Sequence, residues 1–449
     1  MTARRVGLLG ATGIGVGSML GAGVFSDMWV DVLAAGRWYL LALALAAAIA
    51  IANALSTAQL AAAHPVAGGS YAYGRAELSH WAGHVAGAAF LVGKTASVAV
   101  GAVVLGTYVL PGHTQGVATA AIALVWALNA RGITKTAWGA TAIAIVVSLA
   151  LAVLAVVVLS APVSLSWFAW SADGEAYEPT VLDFAFSGPG GLAQVPVAAA
   201  AAFFAFAGYA RIATLGEEVR EPERTIPRAI VIALAVVLTL YVAIAVSLAL
   251  HVGYDGLVAV LEPGTDAGEA ITLAPLERLA DAVGFPVAIV TATAALSVFG
   301  AMLAVLAGAG RTAMAMAREA DLPSALARQG GSGAPWLAEA VIAVAAIALV
   351  WTQGTSLLLV SVATVLTYYA VANAAAIAQR RAGRTATLRV PVAASAFGLV
   401  GCVALAIVAA PSAVGEGPAW VPWALALVVL GWPTVAWTMR RRASGPKSR

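Results

Sequence analysis

Two small-residue breaks interrupt apolar runs that would otherwise read as continuous helices. One is Gly21-Ala22-Gly23 in the first run, and the other is Phe206-Ala207-Gly208 in a run near residue 205. In a bilayer every backbone N–H and C=O must be paired, so irregular backbone is tolerated only where it is buried in protein or lines a cavity. N–H groups freed at the start of a second half-helix suit a carboxylate. Carbonyls freed ahead of Gly208 suit an ammonium group. One break for each end makes a zwitterion the natural ligand, and paired breaks in corresponding runs point to a transporter's substrate site. Close helix packing through small residues, with Gly17 and Gly21 at the required spacing, is the competing reading of the first run. A dinucleotide fingerprint fits GIGVGSMLG poorly, because neither a preceding strand nor an acidic partner accompanies it.

Lys94, in FLVGKTASVAVG, is a charge in the middle of an apolar run. Such a residue costs about 2.5 to 3.5 kcal/mol on insertion scales and is a functional hypothesis by default. Its structural alternative is a lysine paired to backbone carbonyls or reaching to an edge. Arg211 follows the second break, with Glu217 and Glu218 one to two turns later. An ion pair closing an inner gate is the expectation for this group, against a solvated surface as the bland reading.

The elements that must position these residues are membrane spans. Hydrophobic residues make up 62% of the chain and charged ones 10%, and the mean hydropathy is +0.93, too few charges to cover a soluble domain. Runs long enough to cross a bilayer fall near 6–33, 38–62, 82–110, 117–131, 136–160, 192–217, 228–251, 284–315, 337–353, 355–379, 390–410 and 419–439. The expected fold is therefore an all-α integral membrane protein of about twelve transmembrane helices. Basic residues fall on alternate connections: Arg4 and Arg5, Arg75, Arg131 and Lys135, Arg220 to Arg228, Arg311 to Arg328, Arg380 to Arg389, and Arg440 to Arg449. Both termini are accordingly expected in the cytoplasm. Acids dominate two opposite connections, from Asp173 to Asp183 and from Asp255 to Glu269. The basic residues thus read as cytoplasmic loops, and no nucleic-acid partner is expected. Trp38, Tyr39, Trp351 and Trp423 lie near run ends, as interfacial anchors do.

The breaks open the first five spans and the next five, and five is odd, so the second set crosses with opposite orientation. The expected organisation is a first inverted repeat over 1–160, a second over 161–380, and two further helices with a basic tail over 381–449. Other chemistry is disfavoured. The five histidines are scattered without HExxH, Cys402 is the lone cysteine, and neither a GxSxG elbow nor an ATP-binding loop is present. Neither a metal, a cofactor nor an enzymatic activity is expected.

Four segments carry a family resemblance: GSMLGAGVF, HPVAGGSYAY, FFAFAGYARIATLGEEVREPERTIPRAI and GRTAMAMAREADLP, in that order. They resemble the signatures of the amino acid, polyamine and organocation transporter superfamily, and within it the bacterial amino acid permeases. The resemblance implies a five-plus-five, LeuT-like inverted repeat with alternating access, in which spans one, two, six and seven move against a scaffold. By similarity, N–H groups around Gly21, Ala22 and Gly23 would hold the substrate carboxylate, and carbonyls at Met19, Phe204 and Ala207, beside Gly208, would receive the amine. Phe204 and Phe206 become gating candidates, with apolar packing as their alternative. Many sodium-independent relatives carry a lysine in span five, whereas this chain has none there after Lys135; Lys94 would supply the titratable amine instead. The expected function is a secondary amino acid permease of the plasma membrane, with proton-coupled uptake of a neutral amino acid. An antiporter or exporter of amino acids or amines, a channel, and a non-transporting sensor are the alternatives.

Overall fold

A computed structural model describes residues 6–27, 35, 38–66, 68–132, 137–161, 192–216, 218–251, 274–352, 357–384, 388–412 and 421–443. Glu217, Lys135, both acidic connections, Arg4, Arg5 and the last six residues lie outside them. Among the described residues nine helices are long and apolar enough to cross a membrane, and three shorter apolar helices accompany them.

Span one is a helix over Leu8–Met19 that ends at Leu20 and resumes as a wide π-type turn over Gly23–Asp27. Spans two to five follow as Tyr39–Ala63, His80–Val109, Thr114–Ala130 and Ala137–Ser160. Span six runs Val195–Phe206, tightens to a 3-10 turn over Ala207–Tyr209, and finishes with Ala210–Ala213. Spans seven to ten are Pro222–His251, Val287–Arg318, Trp336–Val350 and Leu357–Arg381. Span eleven is Val392–Ser412, and span twelve comprises Val421–Ala426, Leu427–Gly431 and Trp432–Ala443. Short helices at Ser70–Glu77 and Pro275–Ala282 cover the ends of the bundle.

Several helices outrun the apolar windows that announce them. Span three has 30 residues, or about 45 Å at 1.5 Å per residue, against a hydrocarbon core of about 30 Å. Its extra turn begins where Ser79 accepts the N–H of Ala82 at 3.2 Å and caps the helix. Span seven begins at Pro222, where proline fits a first turn, with Glu223 beside the positive end of the helix dipole.

Spans one, two, six and seven pack on one another, while span three forms the centre of a second group with spans four, eight, nine and ten. Span eleven lies along spans ten and two, and span twelve lies against span three. The two broken spans meet at their breaks. A Cβ on Gly208 would fall on the Ser18 carbonyl and on Met19 of span one, and a Cβ on Gly23 would fall on Ala205 of span six. Glycine at these two positions is what lets the backbones touch.

Candidate functional site

The break residues line a single cavity with parts of spans three and eight. Its walls are Ser18, Met19, Gly21, Ala22 and Gly23 from span one, and Phe204, Ala207 and Gly208 from span six. Lys94, Ser97 and Gly101 come from span three, and Val298, Ala301, Met302 and Val305 from span eight. Its free volume is about 40 Å³, a narrow space with room for a few waters, so its walls must part to admit an amino acid. All the residues expected to bind substrate, together with Lys94, therefore share one space.

The carbonyls released by the breaks are occupied. The hydroxyl of Tyr241, from span seven, lies 2.5 Å from the Met19 carbonyl and 2.9 Å from that of Ala205. Ser297 donates to the Leu20 carbonyl. The Phe204 carbonyl accepts the N–H of Ala207. The Ala207 carbonyl accepts two donors, the Tyr369 hydroxyl at 3.0 Å and the Lys94 ammonium at 3.3 Å. A buried carbonyl without a donor would be costly, and here side chains from spans three, seven, eight and ten supply what the broken helices cannot. Sequence reading missed Tyr241, Ser297 and Tyr369. The signal was present, since a phenol inside an apolar run must find a polar partner.

Lys94 is buried at 5% exposure. Its ammonium faces the Ala207 carbonyl and sits 5.7 Å from the centre of the Phe90 ring. Among the described residues it has no acidic partner within salt-bridge distance. Phe206 is fully buried and packs its ring 5.3 Å from that of Tyr241, behind the cavity wall and not across it. Phe204 is the aromatic that lines the cavity.

Arg211 lies apart from the cavity lining. Its guanidinium donates to Thr214 Oγ1 at 2.7 Å, and its stem packs on Gly308. Glu218 pairs with Arg311 of span eight rather than with Arg211. Glu217 falls outside the described residues.

The end of the bundle where span one begins is held by charge. Asp321, its side chain wholly buried, receives Arg75 at 3.0 Å and the Tyr71 hydroxyl at 2.8 Å, with His80 Nε2 at 3.1 Å. Arg75 also reaches Glu319 at 2.7 Å. Burial, and then the hydrogen bond to Asp321, raises the Tyr71 phenol, so it remains a donor. Beside this cluster Glu77 joins Arg384 at 2.6 Å and His64 at 2.6 Å, and Gln379 donates to it at 3.1 Å. The backbone closes the same end. Val6 N–H donates to the Glu218 carbonyl at 3.1 Å, and Arg220 N–H donates to the Val6 carbonyl at 2.8 Å, forming an isolated parallel bridge.

Interrupted spans that meet at a small cavity, inside a bundle of apolar helices, are features of a multi-pass membrane transporter. Residues 6–434 match the family described as amino acid permease, and the chain belongs to that family. Similar proteins include uncharacterized transporters of Mycobacterium tuberculosis and Mycobacterium bovis, each 41% identical over 442 residues, covering 98% of this chain and 91% of the relative. A further uncharacterized transporter of Mycobacterium bovis is 31% identical over 182 residues, covering 40% of this chain and 35% of the relative.

Proposed function

We propose that the chain is a secondary carrier for a small amino acid or a closely related carboxylate, working by alternating access at the cavity between spans one and six. The observation that carries this reading is the convergence of both breaks and Lys94 on one space. The Gly21 to Gly23 segment turns backbone towards that space, as carboxylate recognition requires. Val298, Ala301, Met302 and Val305 offer an apolar wall for a side chain. Lys94 is the titratable group through which a proton couples to movement, because it alone among the lining residues can change charge.

In this reading residues 1–160 and 161–380 are the two inverted repeats, and spans eleven and twelve stand outside them. The end that carries Arg75, Arg311 and Arg384 faces the cytoplasm of a cell whose plasma membrane holds the protein. The paired charges there keep the inner side shut, with Glu218 and Arg311 joining spans six and eight, and Arg211 supporting the inner half of span six.

The test is uptake by proteoliposomes. Radiolabelled amino acids and their deaminated counterparts are supplied with and without an inward proton gradient at fixed sodium. Saturable, gradient-stimulated uptake of one chemical group is the expected outcome. Movement only after the lumen is preloaded would make the protein an obligate exchanger, and no movement of any compound would overturn the proposal.

A further inference from the structure

The ammonium of Lys94 stands on the Ala207 carbonyl, one of the three carbonyls expected to receive an amino acid's own ammonium. The neighbouring carbonyls each already hold one donor. Met19 and Ala205 share the Tyr241 hydroxyl, Leu20 holds Ser297, and Phe204 holds a backbone N–H. The two lining hydroxyls are also engaged, Ser18 with the Ile14 carbonyl at 2.7 Å and Ser97 with Ser361 at 2.8 Å. What remains is one buried cation with three donors, of which one is spent on Ala207. Facing it is a wall of Phe204, Val298, Met302 and Val305.

A cavity of this kind is easiest to fill when the loaded state is electrically neutral, because net charge is expensive where water is scarce. An anion with one carboxylate neutralises Lys94 in place. A zwitterion adds no net charge, yet its ammonium must either sit beside that of Lys94 or drive it off the carbonyl. A second carboxylate finds no second cation among the lining residues. We infer that Lys94 is a built-in replacement for a substrate ammonium group, so that the cavity selects a small monocarboxylate with an apolar tail and no ammonium. The 2-oxo or 2-hydroxy counterpart of a branched-chain amino acid has this chemistry. The inference rests on the reading of the cavity as the transport site and names the substrate class that site takes.

Paired ligands test it on the purified full-length protein in detergent. Melting temperature is followed against the concentration of 4-methyl-2-oxopentanoate and of leucine, and proton release is read in weak buffer. Like-charge juxtaposition costs several kcal/mol, so the oxo acid is expected to bind at least about tenfold more tightly than leucine. Lys94→Met should erase that preference, while Lys94→Arg, which keeps the charge, should retain it. Size exclusion shows whether each variant is folded, and the wild-type preference stands as a readout without any variant. Tighter binding of leucine, with about one proton released per molecule bound, would overturn the inference and leave the amino acid carrier intact, as would equal binding of the two ligands. If neither ligand binds and neither moves in liposomes, the inference falls, while the carrier reading stands or falls on the wider uptake screen.

Discussion

The centre of this molecule and the end at which span one begins solve the same problem, polar groups away from water, in opposite ways. At the centre the acceptors are backbone carbonyls, the donors are mostly neutral hydroxyls, and Lys94 is the one charge in the lining. At the end the acceptors are carboxylates and the donors are guanidinium and imidazole groups, as around Asp321 and Glu77. Neutral hydrogen bonds hold a shape without fixing a charge, so a ligand can change the electrostatics of the centre. Ion pairs fix both, which suits a seal. Substitutions at the centre should therefore damage transport more than stability, and those at the end should do the reverse.

The largest effect is expected at Gly208. Its missing Cβ leaves room for the Ser18 carbonyl, and overpacking at such a site costs about 1 to 3 kcal/mol. Gly208→Val should abolish proteoliposome uptake, and Gly208→Ala should reduce the initial rate by about tenfold or more. At the other region, Asp321→Ala leaves Arg75 without its buried partner. A loss of about 3 to 5 kcal/mol is typical for one half of a buried pair, visible as a lower melting temperature in detergent. If Asp321→Ala melted like the parent but failed to transport, the contrast drawn here would be wrong.

A smaller change is expected from Tyr241→Phe. It removes the hydroxyl from the Met19 and Ala205 carbonyls and leaves an acceptor unsatisfied at about 1 to 3 kcal/mol. Uptake should fall by about tenfold with a modest shift in melting, which would sharpen the distinction, because the residue sits at the centre yet has no charge. The smallest effect belongs to Glu218→Gln. This carboxylate is 34% exposed in its pair with Arg311, and pairs of that kind contribute about 0 to 1 kcal/mol. Its melting curve should overlie that of the parent.

The spans were legible in the sequence because length and hydropathy are local properties. Their ends were less so. Span eight continues to Arg318 and span three starts at His80, beyond the apolar windows, since a helix can run on into charged residues once it leaves the hydrocarbon. The breaks were legible because glycine and alanine cluster there, and Lys94 because a charge in an apolar run stands out. What satisfies the breaks was not legible. Tyr241, Ser297 and Tyr369 belong to three different spans, and only packing brings them to one place. Arg311 likewise holds Glu218 through a tertiary contact, although Arg211 lies far nearer to it in sequence.

The bridge between Val6 and Val219 gives the two interrupted helices a second attachment, well away from the one at Gly208 and Gly23. Two rods pinned at one point can scissor, and pinned at two they behave as a splint. In the proposed alternating-access cycle spans one and six would tilt together as one lever, with the cavity wall they share carried along undistorted, unless the two hydrogen bonds at Val6 were broken first. A pair of backbone hydrogen bonds is a modest latch, strong enough to coordinate a stroke and weak enough to be undone within one.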